Sequence, residues 1–230
     1  MWGFLTRNVT DAVDPPPVPK PKYRILTAAE VQQLLRATSD DRLRSLWAVA
    51  IATGARQGEL LALQWDDVDW ERSEIAVHRT LVSVTRGSVP QYGEPKTAKA
   101  RRTIPLAEQS LVTLREWQAI QHEEVRTLGD NYANYNLIFS TGLGTPLRNN
   151  FVRERFKAAL KHAGLPEQVR FHDLRHTAGS LMIAAGADVA AVSAVLGHAN
   201  ISTTLNIYAH TLPDAMRAAV EQTARMVTIA

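Results

Sequence analysis

Apolar residues recur at helical spacing along most of the chain, and strand-like alternation is confined to one region. Thr27 and Glu30 have the spacing of a capping box, which opens a helix running through Arg36. A second helix is expected over Arg42 to Thr53, with Leu43, Leu46, Trp47, Ala50 and Ile51 on its buried stripe. Gly54 stops it, and Arg56 to Leu63 restarts helically. Glu74 to Val84 is rich in β-branched residues and reads as a strand; a loop with Gly and Pro follows, then a return strand over Arg101 to Leu106. Leu106 to Leu128 predicts the longest helix, with Leu111, Leu114, Trp117 and Val125 among its apolar positions. Asn149 to Ala163 is another helix, stopped by Gly164 and Pro166. Asp188 to Leu196 is a short apolar helix ended by Gly197, and a last short segment closes at Tyr208, capped by Asn200 or Ser202. The pattern predicts an α+β fold, mostly α-helical, with a small antiparallel sheet inserted early.

The two ends read differently from the middle. Residues 1–22 carry what reads as the last turn of a helix and then DPPPVPKPK, a stiff, extended, charged linker, because consecutive prolines cannot donate hydrogen bonds. Pro213 to Ala230 predicts a further helix bearing Ala215, Met216, Ala219, Val220 and Met226. No cysteine is present, which excludes disulfides, thiolate metal sites and cysteine nucleophiles and suits a reducing cytoplasm. No apolar run approaches a membrane span, and the N-terminus lacks a basic-then-apolar leader. The net charge of +3 and the pI near 9.3 are compatible with a nucleic-acid partner without demonstrating one.

The chemistry concentrates between Phe171 and His210. His172 and Arg175 stand three apart where a helix begins, so both project from one face. His198 follows the helix-ending Gly197, and Tyr208 lies ten residues on. Two imidazoles, a guanidinium and a phenol at helix ends and turns point to an anion site with a tyrosine beside it. The acidic residues Asp66, Asp67, Asp69 and Glu71 lie in a turn with Trp65 and Trp70 interleaved and pair with no histidine at ligand spacing, so no metal and no cofactor are expected.

H-x-x-R, then L-G-H, then a tyrosine ten residues on resembles the C-terminal motif of the tyrosine recombinases, the phage-integrase family. TGARQGELLAL, from Thr53, resembles that family's first arginine box and GEPKTAKARRTIPL, from Gly93, its β-hairpin lysine segment. The resemblance implies a catalytic set of Arg56, Lys96, His172, Arg175, His198 and Tyr208, with Lys99 competing with Lys96. It implies that Arg56 and Arg175 clamp a scissile phosphate and that Tyr208 attacks it to leave a 3′-phosphotyrosyl link. Lys96 then serves as general acid for the 5′ oxygen, His172 as base and His198 as donor to a phosphate oxygen. Double-stranded DNA is the implied partner, with a homo-oligomer, a tetramer on DNA, coupled through the C-terminal helix. The implied division is the end of a core-binding domain plus linker over 1–22, a catalytic domain over 23–212 and the C-terminal helix over 213–230. The implied setting is the cytoplasm of a bacterial or phage-infected cell.

Structural alternatives stand beside these roles. Each arginine has a nearby carboxylate, Glu59 or Asp173, with which it would pair in an ordinary fold, and Tyr208 would cap the core as a half-buried ring. His176, one position after Arg175, is a candidate buttress. Ser180 to Gly197 has a helix-turn-helix outline, but its second helix, DVAAVSAVLG, lacks side chains able to read base edges. The remaining alternatives are a type IB topoisomerase and an inactive DNA-binding relative.

Overall fold

The computed structural model describes residues 24–83, 90–93 and 101–208, together with Val13, Arg217, Val220, Glu221, Thr223 and Ala224. Lys96, Lys99, the proline linker and most of the C-terminal segment lie outside the described residues, as does Val84 at the end of the expected strand. Eight helices are described: α1 (Ala28–Ala37), α2 (Arg44–Thr53), α3 (Gln57–Leu60), α4 (Glu108–Leu128), α5 (Asn149–His162), α6 (Asp173–Ala184), α7 (Val189–Leu196) and α8 (Ile201–Tyr208). Five short strands, β1 (Val68–Asp69), β2 (Glu74–Val77), β3 (Thr80–Ser83), β4 (Gln91–Gly93) and β5 (Arg102–Pro105), lie between α3 and α4. The expected α+β architecture, mostly helical with a small antiparallel sheet, is what the chain adopts. Among the described residues no helix is long and apolar enough to cross a membrane.

Local chemistry sets most boundaries. Thr27 and Glu30 exchange both bonds of the capping box that starts α1. Gly54 ends α2 in the left-handed region at φ 60°, and Gly197 ends α7 at φ 68°, conformations open to glycine at little cost. Asp188 caps α7 by accepting from the backbone of Ala190 and Ala191, and Asn200 starts α8 by accepting from Ser202.

The strand region departs from the simple hairpin. The run from Glu74 is broken at His78 and Arg79 into two strands belonging to different sheets: β2 lies between β1 and β5, whereas β3 pairs with β4. The Arg79 side chain explains the break, since it turns inward to bond the Ala62 carbonyl at 2.9 Å and the Asp67 carboxylate at 2.5 Å. Asp67 also lies 3.5 Å from Nδ1 of His78, a pairing that the spacing did not disclose. The segment after Gly54 is shorter than expected: α3 is a single turn, with Arg56 as its N-cap. α4 buries Leu114, Trp117 and Gln121, but Val125 is exposed because the last two turns run past the core.

The main core is gathered around Trp47, Phe156 and Phe171, whose rings meet at centroid distances of 5.3, 5.6 and 5.7 Å. α2 and α6 pack against each other, and α6 buries every residue from Asp173 to Ser180. A second, smaller apolar cluster joins Ile183, Val192, Leu196 and Tyr208, where α6, α7 and α8 meet. The exposed side of α7 carries Ala190, Ala191 and Ala194. It has no polar side chain of base-reading type, so the helix-turn-helix outline carries no recognition helix.

Candidate active site

Four chain segments bring the polar residues together: the turn after α2, strand β5, the start of α6, and the α7–α8 turn. Arg56, at the head of α3, donates from Nη1 to Glu59 at 2.8 Å and from Nη2 to the Gly197 carbonyl at 3.3 Å. Its backbone N–H donates to the other Glu59 oxygen at 2.8 Å. Glu59 is 3% exposed and also accepts from Arg102 Nη2 at 3.0 Å. Burial pushes the Glu59 carboxyl up, but the bonds and charge of Arg102, then those of Arg56, outweigh it and hold the pKa below the usual range. Arg102 reaches from β5 to donate through Nε to the Val195 carbonyl at 2.6 Å, at the negative end of α7. Glu59 and Arg102 are therefore parts of the site.

Arg175 differs from Arg56. It is 4% exposed, donates from Nη1 to the Gly54 carbonyl at 2.8 Å, and bonds no carboxylate among the described residues, Asp173 being taken by Arg170 at 2.8 Å. Its buried Nη2 has no hydrogen-bond partner among the described residues. Burial, then the Arg56 charge, pushes its pKa down to about 9. A buried guanidinium with a donor to spare, next to a second guanidinium, is an electrostatic environment that favours an anion.

The three imidazoles of the site are each held below the ordinary histidine pKa. His172, at the N-cap of α6, keeps an exposed face; the burial of its remaining surface, then the Arg175 charge, lowers its pKa. His198 is half-buried, with Nδ1 at 2.7 Å from Thr204 Oγ1. Burial, then Arg175 and Arg56, pushes it down to about 4. His176 is buried and stands edge-on to His172 at 5.3 Å and tilted to Tyr208 at 6.4 Å, so its ring lies beside both. Burial, then the neighbouring His172, pushes it down to about 4 as well.

Tyr208 is fully buried rather than half-buried, and its hydroxyl donates to the main-chain carbonyl of Arg175 at 3.4 Å. Its ring fills the space over Gly179, where any added Cβ would collide with it. The structure therefore brings Arg56, His172, Arg175, His198 and Tyr208 into one neighbourhood, with Tyr208 turned inward. Lys96 lies outside the described residues. His176, Glu59 and Arg102 belong to the same cluster. Arg102 is visible in the sequence only as a charge, whereas the pairing of Arg56 with Glu59 was open to the sequence as the structural alternative and is what the structure shows.

Two arginines, three imidazoles and a phenol gathered in one neighbourhood are hydrogen-bond donors of the kind that a phosphate anion accepts from. The chain belongs to the phage integrase family, whose profile matches residues 24–214. It is 35% identical over 204 residues to a XerC-like tyrosine recombinase of Caldanaerobacter subterraneus, covering 84% of this chain and 51% of that protein. It is 30% identical over 213 residues to the ICEBs1 integrase of Bacillus subtilis, covering 92% of this chain and 57% of the other. Among solved structures, a Tn1549 transposon integrase in complex with transposon right-end DNA superposes with a TM-score of 0.73 at 26% identity, over 95% of this chain and 71% of that one. XerA recombinase superposes at 0.66 with 25% identity, over 93% and 68%. The chain spans about half the length of the curated relatives it matches.

Proposed function

We propose that this chain is the catalytic part of a site-specific DNA recombinase or integrase, with residues 23–212 as the catalytic domain. Arg56 and Arg175 grip the non-bridging oxygens of one phosphodiester in double-stranded DNA, and the open Nη2 of Arg175 is the observation that carries this reading. Tyr208 attacks the phosphorus: a phenolic O–P bond forms, the P–O5′ bond breaks, and the enzyme stays on the 3′ phosphate. The phenolic proton passes to a neutral imidazole, His172 or a neighbour, and Lys96 supplies the proton taken up by the 5′ oxygen. The link conserves the bond energy, so the reverse attack by another 5′ hydroxyl rejoins strands without a nucleotide cofactor. Because Tyr208 is fully covered, attack requires its ring to leave the Gly179 cradle. Affinity to integrases solved on DNA supports the choice of DNA as partner. The strand-exchanging form is a homo-oligomer, a tetramer on DNA, acting in the cytoplasm.

The test is incubation of the chain with a library of nicked duplexes randomised around the nick, followed by denaturing electrophoresis and mass spectrometry. A tyrosyl adduct on Tyr208, absent in Tyr208→Phe, is the expected result. A chain that forms no adduct with any duplex overturns the reading; on a supercoiled plasmid carrying two copies of a recovered site, products limited to relaxed circles overturn recombination in favour of simple nicking and closing. Mass measurement on captured DNA tests the tetramer, which a strictly monomeric complex eliminates.

A further inference from the structure

Thr204 differs from five other threonines placed in or at the end of a helix. Thr38, Thr53, Thr113, Thr127 and Thr177 each donate their hydroxyl to the carbonyl four residues back, at 2.7 to 3.0 Å. Thr204, 0% exposed on α8, has its hydroxyl 2.7 Å from Nδ1 of His198 instead, its hydrogen-bond partner among the described residues.

That geometry decides where the protons sit. A buried hydroxyl proton without an acceptor costs about 1–3 kcal/mol. If Nδ1 carried a proton, it would donate to Thr204 and leave the Thr204 proton with no acceptor among the described residues. If Nδ1 is bare, Thr204 donates to it and both groups are satisfied. The cationic form of the ring, which would protonate both nitrogens, is disfavoured by Arg175, Arg56 and Arg102, whose charges all reach it.

We propose that Thr204 is a positioning residue that locks His198 in the Nε2–H tautomer, so that His198 meets an anion between Arg56 and Arg175 as a neutral hydrogen-bond donor. The tautomer is a property of the free protein; its use on a DNA phosphate rests on the function proposed above. The lock also comes from the helix that carries Tyr208, one turn further on. The phenol and the donor state of His198 are thus set by a single element.

The experiment is long-range proton–nitrogen NMR on the full chain with nitrogen-15 histidine, near pH 7, with His198→Asn to identify the ring signals. The wild type and Thr204→Ser are expected to show a single Nε2–H tautomer for His198, and Thr204→Val a mixture of both tautomers. A wild-type ring protonated at Nδ1 overturns the proposal, as does a Thr204→Val ring indistinguishable from wild type. On a nicked duplex recovered from the adduct screen, Thr204→Val should slow single-turnover cleavage by about 10²-fold at unchanged duplex affinity. Thr204→Ser should restore the rate, which a merely space-filling threonine would not require. Equal rates in wild type and Thr204→Val overturn the positioning role. A wild type that forms no adduct sinks the functional reading and leaves the NMR result to decide the tautomer.

Discussion

The ring of Tyr208 lies directly on Gly179, one turn along α6 from Arg175, in the space that a Cβ would occupy. At an open helix position, replacing glycine by alanine would stabilise by about 1 kcal/mol. Here Gly179→Ala is expected to do the opposite, lowering Tm by several degrees and displacing Tyr208. Chemical nitration of Tyr208 and proteolysis near the α7–α8 turn should both accelerate; unchanged nitration would show that the ring does not depend on this cradle.

Glu59 holds Arg56 and Arg102 with its two oxygens, and the pair with Arg102 is buried on both sides, at 3% and 6% exposure. Glu59→Ala leaves Arg102 without this carboxylate and should cost about 3–5 kcal/mol of stability, measured by urea unfolding. Adduct formation should fall with it, because Arg56 loses the group that aims it.

Arg175 is the reverse case, since no carboxylate among the described residues bonds its buried charge. Replacing a buried charge with an apolar side chain of similar volume is often stabilising by about 1–4 kcal/mol. Arg175→Met is therefore expected to raise Tm by several degrees while reducing adduct formation by at least about 10²-fold. A fall in Tm on calorimetry would mean that the guanidinium serves the fold.

Stability should weaken in acid for an assignable reason. The folded-state pKa of both His176 and His198 is about 4, below the unfolded value of about 6.5. The unfolded chain therefore binds protons first, and stability that is complete above about pH 6.5 declines as pH falls toward about 4. Glu59, also lowered, adds a further loss below the ordinary carboxylate range. Thermal melts between pH 7 and 4 should show this slope, and His176→Gln should flatten its upper part.

The elements that depend on near neighbours in the chain were legible, and those that depend on distant ones were not. The capping box at Thr27, the glycine stops at Gly54 and Gly197, and the length of α5 follow from residues within one turn. The family motifs likewise pointed to Arg56, His172, Arg175, His198 and Tyr208, because their spacing is local. Arg102 reads as one basic residue among several, and its meaning comes from Val195 and Glu59, 93 and 43 positions away. The break at His78 has the same origin, since Arg79 answers to Asp67 and Ala62 rather than to its strand. The depth of Tyr208 is set by the missing side chain of Gly179, which no helical period reveals.

The small cluster of Ile183, Val192, Leu196 and Tyr208 is separate from the large core around Trp47. Detaching α8 would uncover Tyr208 and the small cluster it packs with but leave the large core closed, so α8 is expected to open at lower cost than the helices of that core. Amide hydrogens from 201 to 208 should then exchange with solvent well before those of α2 and α6. On the proposed function, a phenol seated in a cluster of its own can turn outward at the expense of that cluster alone.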